Sequence, residues 1–213
     1  MLKVSLMRRF LALSLVCFFL PLSSYGQESY IEGQHYERIS PAVKTADATT
    51  VEVVEVFWYG CPHCFDFEPY INEWKNNNAD KVQFRRMPAI FNKNWVPHAR
   101  AYYTAEILGV LDTIHPALFN ALHKKRQRIF TEESLRQFFL DQGVSAEDFD
   151  NTYHSFAVDS KTRQAMVSTR DYGITGVPAL IVNGRFWTSA RLTGDFDGML
   201  KVVDHLADKE KAR

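Results

Sequence analysis

Cys61 and Cys64 stand two residues apart in "FWYGCPHCFDFEP" (57–69), with Pro62 and His63 between them. Two thiols at that spacing support three chemistries: a disulfide staple, half of a metal site, or a reactive dithiol. A disulfide stabilises mainly by closing a loop, and the gain grows with loop length, so a bridge this short adds little as a staple. Zinc takes four ligands, commonly from two such pairs. Here His98, His115, His123, His154 or His205 would have to complete the set, and none sits at the spacing of a paired histidine motif. Haem attachment needs histidine directly after the second cysteine, where this chain has Phe65. No metal site is expected.

The reactive reading has a physical cause. Pro62 suits the first position of a helix, where its missing N–H costs nothing, and that puts Cys61 at or near the N-cap. Its sulfur then faces unpaired backbone N–H groups and the positive end of the helix dipole, which favour a thiolate. His63 adds a donor, and a cation when protonated. Cys64, one turn along and deeper, is placed to resolve a mixed disulfide. A thiol pKa ~3 units below ambient pH would favour the reduced form by about 4 kcal/mol. At roughly 30 mV per 1.4 kcal/mol that is about 90 mV more oxidising, so such a pair tends to give its disulfide away.

The compartment follows from the N-terminus. Lys3, Arg8 and Arg9 precede an apolar run, Phe10 to Leu20, and Ser24 and Gly26 supply small residues at minus three and minus one. The pattern reads as a secretory signal, residues 1–26, cleaved after Gly26. Eleven apolar residues fall short of the ~20 that a membrane-crossing helix needs. Bulky Val16 before Cys17 disfavours a lipoprotein signal. Cleavage removes Cys17, leaving Cys61 and Cys64 alone in an oxidising compartment. It also removes three of the 25 basic and none of the 25 acidic residues, leaving 22 against 25, about −3. No nucleic-acid binding is expected from that balance. The 46% apolar and 14% aromatic content suffices for a folded core.

The elements that must position the pair are legible in outline. "VEVVEVF" (51–57) is β-branched and reads as a strand. A helix of about 62 to 76 follows, kinked or interrupted by Pro69, and then a strand over 82–88. From 96 to 172 the pattern is helical. One helix ends at Gly109, the next begins at an Asp112 cap, another opens at Thr131, and Ser145 with Asp148 resembles a capping box. The last of the block closes at Gly173. "PALIVNGRFWT" carries Asn183-Gly184, the strongest hairpin signal in the chain, and a helix covers roughly 195 to 207. Order β-α-β, helical block, β-β-α gives an α/β, thioredoxin-like fold with an inserted all-helical domain. The divisions are 27–95 with 173–213 for the thioredoxin-like domain and 96–172 for the insertion.

Alternation along 51–57 puts Val51, Val53, Glu55 and Phe57 on one face, which buries the Glu55 carboxylate among apolar neighbours. Buried acids are costly unless paired or protonated. Arg86, on a strand face with Val82 and Phe84, is a candidate partner. Phe57, Trp58 and Tyr59 either border a peptide groove or fill the core. His98, His115 and His123 read as helix-surface or packing residues.

"FWYGCPHCFDFEP" together with "GVPALIVNGRF" resembles the DsbA family of periplasmic thiol–disulfide oxidoreductases. The likeness extends more loosely from "YIEGQHYERISPAV", beginning at Tyr30, to near residue 207. It implies a dithiol oxidase that donates the Cys61–Cys64 disulfide to reduced, newly exported proteins. A quinone-linked membrane partner of the DsbB type would re-oxidise it, with no cofactor beyond the redox-active disulfide. That direction of transfer is an established property of the family. The resemblance implies a cis-proline loop at Val177-Pro178, which with Pro62 would help present an extended substrate by strand addition. It also implies a buried acid at Glu55, acting as proton relay to Cys64, and a second family acid at Glu68, which a solvated helix face explains equally well. A monomer is expected. Dimeric isomerases of the superfamily carry a dimerisation domain before the catalytic one, and only about 24 residues separate Gly26 from the first strand here. A reductase or isomerase, or a non-catalytic peptide-binding holdase, is the alternative.

Overall fold

β2 (Glu52–Phe57) and β3 (Gln83–Pro88) run parallel and are joined by α1 (Pro62–Asn77), which crosses over between them. The computed structural model describes residues 30–45, 47 and 49–212. The expected export signal of residues 1–26, with Cys17 inside it, lies outside the described residues. β4 (Ala179–Val182) pairs antiparallel with β2 on its other side and forms a hairpin with β5 (Phe186–Thr188). At the hairpin turn Asn183 and Gly184 both take positive φ, 52° and 61°, as a tight turn matched to strand twist requires. The N-terminal lead contributes an element that its sequence does not announce. β1 (Glu37–Arg38) pairs antiparallel with β5, giving the sheet order β1-β5-β4-β2-β3.

Between β3 and β4 lie α2 (Val96–Ile107), α3 (Leu111–His123), α4 (Glu132–Asp141), α5 (Ala146–Tyr153) and α6 (Phe156–Asp171). After β5 come α7 (Ala190–Thr193) and α8 (Phe196–Lys211). Several ends differ from expectation. Pro69 neither ends nor interrupts α1. α3 begins at a Val110 N-cap, and Asp112 sits inside its first turn, where an acid still suits the dipole. Ser145 caps α5 by accepting from the Asp148 N–H, but that helix stops at Tyr153. Ser155 accepts from the Val158 N–H and so starts α6 as a separate helix. Asp195 caps α8, accepting from the Gly198 N–H at 2.6 Å, and the helix continues past 207 to Lys211.

Two apolar clusters flank the sheet. One holds Val53 of β2 and Val51 just before it against Phe67, Ile71 and Trp74 of α1 and Val202, Val203 and Leu206 of α8. The other takes Val54 and Val56 of the same strand into the helical block, through Tyr102, Ile114, Leu118 and Phe119. Phe57 departs from the simple alternation. Its ring joins Tyr102, His115 and Phe119 in the second cluster rather than Val51 and Val53. The strand tip is therefore gripped by α2 and α3, and the active-site turn follows directly from it. Among the described residues no helix is long and apolar enough to cross a membrane.

Candidate active site

Cys61 is the N-cap of α1 with Pro62 at the first helical position. The turn from β2 is closed by the Cys61 N–H donating to the Trp58 carbonyl at 3.0 Å. Cys61 is half-buried, Pro62 and His63 are exposed in the first turn, and Cys64 is fully buried. Both cysteines are free thiols in this structure. The Cys61 thiol is pushed down to about 6, first by the hydrogen bond from the Cys64 thiol. The backbone amides of Cys64 and His63 and the His63 charge add to the effect, while partial burial opposes it. Burial drives Cys64 the other way, well above the ordinary thiol range, and the charges of Cys61 and Glu55 reinforce this. One helix turn thus separates an acidic, accessible sulfur from a buried sulfur that holds its proton.

The second half of the site comes from the loop before β4. The Val177–Pro178 peptide is cis, and the Cys61 thiol donates to the Val177 carbonyl at 3.5 Å. Beside it opens a groove of about 640 Å³, with His63, Val177, Pro178, Trp187 and Phe196 in its walls. Pro62 stands at the helix start rather than in those walls. Trp58 and Tyr59 part company. Tyr59 is core, whereas Trp58 is half-buried and stacks on Trp95 at 4.2 Å and 6°. Gly60 allows that packing, because a Cβ there would stand 2.4 Å from the Trp58 ring.

Beneath the cysteines lies a buried charged network. Glu55 is 0% exposed and faces Arg86 across the β2–β3 register. Arg86 Nε donates to Glu55 Oε2 at 2.8 Å, and its Nη2 reaches both Glu68 oxygens at 3.3 and 3.4 Å. Burial raises the Glu55 carboxyl to about 7 in spite of Arg86, with the neighbouring Glu68 charge adding to the rise. Burial also acts to raise Glu68, but the hydrogen bond from His115 and the charge of Arg86 outweigh it and hold that carboxyl low. The surface alternative for Glu68 therefore fails: its side chain is 13% exposed and bonded to Arg86 and His115. His115 and His123 are more than surface or packing residues. Tyr59 Oη lies 2.8 Å from His115 Nδ1, and His123 Nε2–H donates to the Tyr59 carbonyl at 2.7 Å. Two turns of α3 thus hold the residue two before Cys61. The eight-residue interval placing both histidines on one helix face is a signal, but it does not say what that face meets.

The profile of the DSBA-like thioredoxin domain family matches residues 52–197. Thiol:disulfide interchange protein DsbA of Pseudomonas aeruginosa is 37% identical over 185 residues, covering 87% of this chain and 88% of the relative. That of Pseudomonas syringae is 38% identical over 191 residues, covering 90% and 89%. The crystal structure of Pseudomonas aeruginosa DsbA superposes with a TM-score of 0.81 at 38% identity, over 86% of this chain and 95% of that one. With the family matched from the first core strand into the last helix, and with relatives alike over nearly their whole length, the chain belongs to the DsbA family of thioredoxin-like thiol:disulfide oxidoreductases.

Proposed function

We propose that this oxidoreductase works in the oxidising direction, passing the Cys61–Cys64 disulfide to reduced, unfolded proteins exported to the periplasm. A substrate thiolate attacks the Cys61 sulfur, the Cys61–Cys64 bond breaks, and Cys64 leaves as a thiolate that takes a proton. A second substrate thiolate then attacks its own sulfur in the mixed disulfide. The substrate disulfide forms, Cys61 leaves as a thiolate, and the two electrons stay on the reduced pair. A quinone-linked membrane protein of the DsbB type would collect them. The chain acts as a monomer. Cys61 is the substrate-linked sulfur, Cys64 the buried partner that resolves mixed disulfides in reverse, His63 the tuning group and Glu55 the proton relay to Cys64. Val177 and Pro178, with Pro62 at the helix start, present the substrate beside the groove. Residues 96–172 form the inserted domain.

The observation that carries this reading is the low thiol pKa of the accessible Cys61, about 6, over a helix N-terminus. A thiolate that forms easily leaves easily. At pH 7 a thiol pKa one unit below ambient favours the reduced state by about 1.4 kcal/mol, and roughly 1 after solvent screening of the half-buried sulfur. That corresponds to about 20 mV, less than the ~90 mV expected from a thiol three units below ambient pH. Equilibration of the pair against glutathione tests the direction. A potential well above that of a reducing thioredoxin supports the oxidase, and one near it overturns the assignment. Cys61→Ser must abolish disulfide transfer; a holdase would keep its binding activity in that variant.

A further inference from the structure

One guanidinium serves two acids near Cys64, Glu55 fully buried and Glu68 largely so. Arg86 holds Glu55 through Nε and Glu68 through Nη2, and the three side chains are 11%, 0% and 13% exposed in the order Arg86, Glu55, Glu68. With both acids ionised the triad carries a net −1 in a site largely closed to water; with one proton it is neutral. Like charges sharing a site push one member to keep its proton, and the pair titrates as a unit. Which acid keeps it depends on what else donates to each.

The donors are unequal. Glu55 Oε1 is buried and has no hydrogen-bond partner. Glu68 Oε1 receives His115 Nε2 at 3.1 Å, and Glu68 Oε2 also accepts from Asn72 at 3.0 Å. A carboxylate only accepts, so His115 Nε2 carries hydrogen. Nδ1 of the neutral ring is then an acceptor, and the Tyr59 hydroxyl at 2.8 Å is the donor that fixes this tautomer. Burial lowers the His115 pKa and raises that of Tyr59, so both groups stay neutral while bonded in this sense. Around the triad, Lys75 of α1 acts on Glu55 and His115 through its charge, and the Tyr102 hydroxyl of α2 donates to the Arg86 carbonyl at 3.4 Å. Neither donates to Glu55. Cys64 feels the Glu55 charge directly.

We propose that His115, from the helical block, is a positioning residue that assigns the proton within the triad, fixing Glu68 as the carboxylate and leaving the proton on Glu55. Its functional meaning rests on the Glu55 relay proposed above, since only a Glu55 that carries a proton can hand one to Cys64. The test reads the proton itself rather than turnover. Side-chain carboxyl resonances of the full chain labelled with 13C-glutamate are followed against pH and assigned with Glu55→Gln and Glu68→Gln. In the unsubstituted protein Glu55 should titrate near 7 and Glu68 below the ordinary carboxyl range. His115→Phe keeps a flat ring among Phe57, Tyr59 and Phe119 but removes the donor. Glu68 then rises, Arg86 turns to Glu55, and the Glu55 midpoint falls by about one unit or more. His115→Gln, whose amide N–H can still donate, restores the original order. In a Glu68→Gln background His115→Phe produces no further shift. An unmoved Glu55 midpoint in His115→Phe, or a shift that persists without Glu68, overturns the assignment. Should His115→Phe not fold, Glu68→Gln alone must lower the Glu55 midpoint, and no change there overturns it equally. Failure of the relay shows elsewhere, as a Cys64 that ignores Glu55, and leaves the proton assignment standing.

Discussion

The Cys61 sulfur stands 3.5 Å from the carbonyl oxygen of Val177, 116 residues further along the chain, and the thiol donates to it. A thiolate cannot make that bond. When Cys61 loses its proton the contact turns from attraction to repulsion, and the Val177 carbonyl is left without its donor. An extended peptide laid beside the cis Val177–Pro178 bond can supply an N–H to that oxygen, so ionisation of the sulfur and pairing of a substrate strand favour each other. The same deprotonation is opposed by partial burial and favoured by the Cys64 thiol and two amides of α1.

Alkylation of the reduced protein should therefore follow a single ionisation with a midpoint at about 6, confined to Cys61. Cys64 should remain unmodified across that range because burial holds its proton. His63→Ala should raise the midpoint by less than about one unit, since its charge is the smallest of the named contributions. The sign for stability follows. A depressed folded-state pKa contributes stability that is complete above the unfolded thiol range and is lost as pH falls through about 6. Denaturation of the reduced form across that window checks it.

Glu55→Gln should act on Cys64 in two separable ways. The glutamate charge is among the causes that raise Cys64, so in a Cys61→Ser background the Cys64 thiol should titrate lower once that charge is gone. The proton supply is lost as well, so exchange with a reduced peptide at neutral pH should slow by roughly a hundredfold. Ultraviolet thiolate absorbance reads the first effect and stopped-flow exchange the second. A Cys64 midpoint that does not move removes the relay.

Gly60→Ala should lower stability by about 1 to 2 kcal/mol by overpacking. The added Cβ would meet the Trp58 ring at 2.4 to 2.8 Å, and the ring is held from behind by its stack on Trp95. The ring must lift, so the exciton band of the stacked pair in circular dichroism should weaken along with stability. Retention of both would mean that the glycine is not required by the ring.

The parts of this molecule that were legible in the sequence are those set by local chemistry. Pro62 placed Cys61 at the N-cap, Asn183-Gly184 placed the hairpin, and alternation in β2 buried Glu55 beside Arg86. The rest depends on which faces meet. His115 lies 47 residues from Glu68 and 56 from Tyr59, and helical periodicity cannot say that α3 packs over the strand tip. β1 escapes because two paired residues have no period to detect. Two separate helices are legible around 155, but where one stops and the next starts turns on one serine hydroxyl, Ser155, which accepts from the Val158 N–H.

Two buried groups should shape the acid side of the stability curve with opposite signs. Glu55 has a folded-state pKa of about 7 against 4.5 when unfolded, so the folded state binds the extra proton and stability falls as pH rises between those values. His98 is buried, its Nε2–H donating to the Ile129 carbonyl at 2.7 Å, and burial takes its pKa from 6.5 to about 4. Its contribution is complete above 6.5 and is lost as pH falls towards 4, so stability rises with pH over that window. Each slope is at most about 1.4 kcal/mol per pH unit, and they overlap between 4.5 and 6.5, where they largely cancel. His115, whose pKa burial also lowers, adds to the rising side, so denaturant unfolding of the unsubstituted protein should show only a shallow net rise of stability with pH across that interval. Glu55→Gln should expose the rising slope of His98, gaining roughly 1 to 2 kcal/mol from pH 4.5 to 6.5. His98→Phe, though less stable throughout because the Ile129 carbonyl loses its donor, should expose the falling slope of Glu55. Parallel pH profiles for the two variants would show that neither group carries the shifted proton.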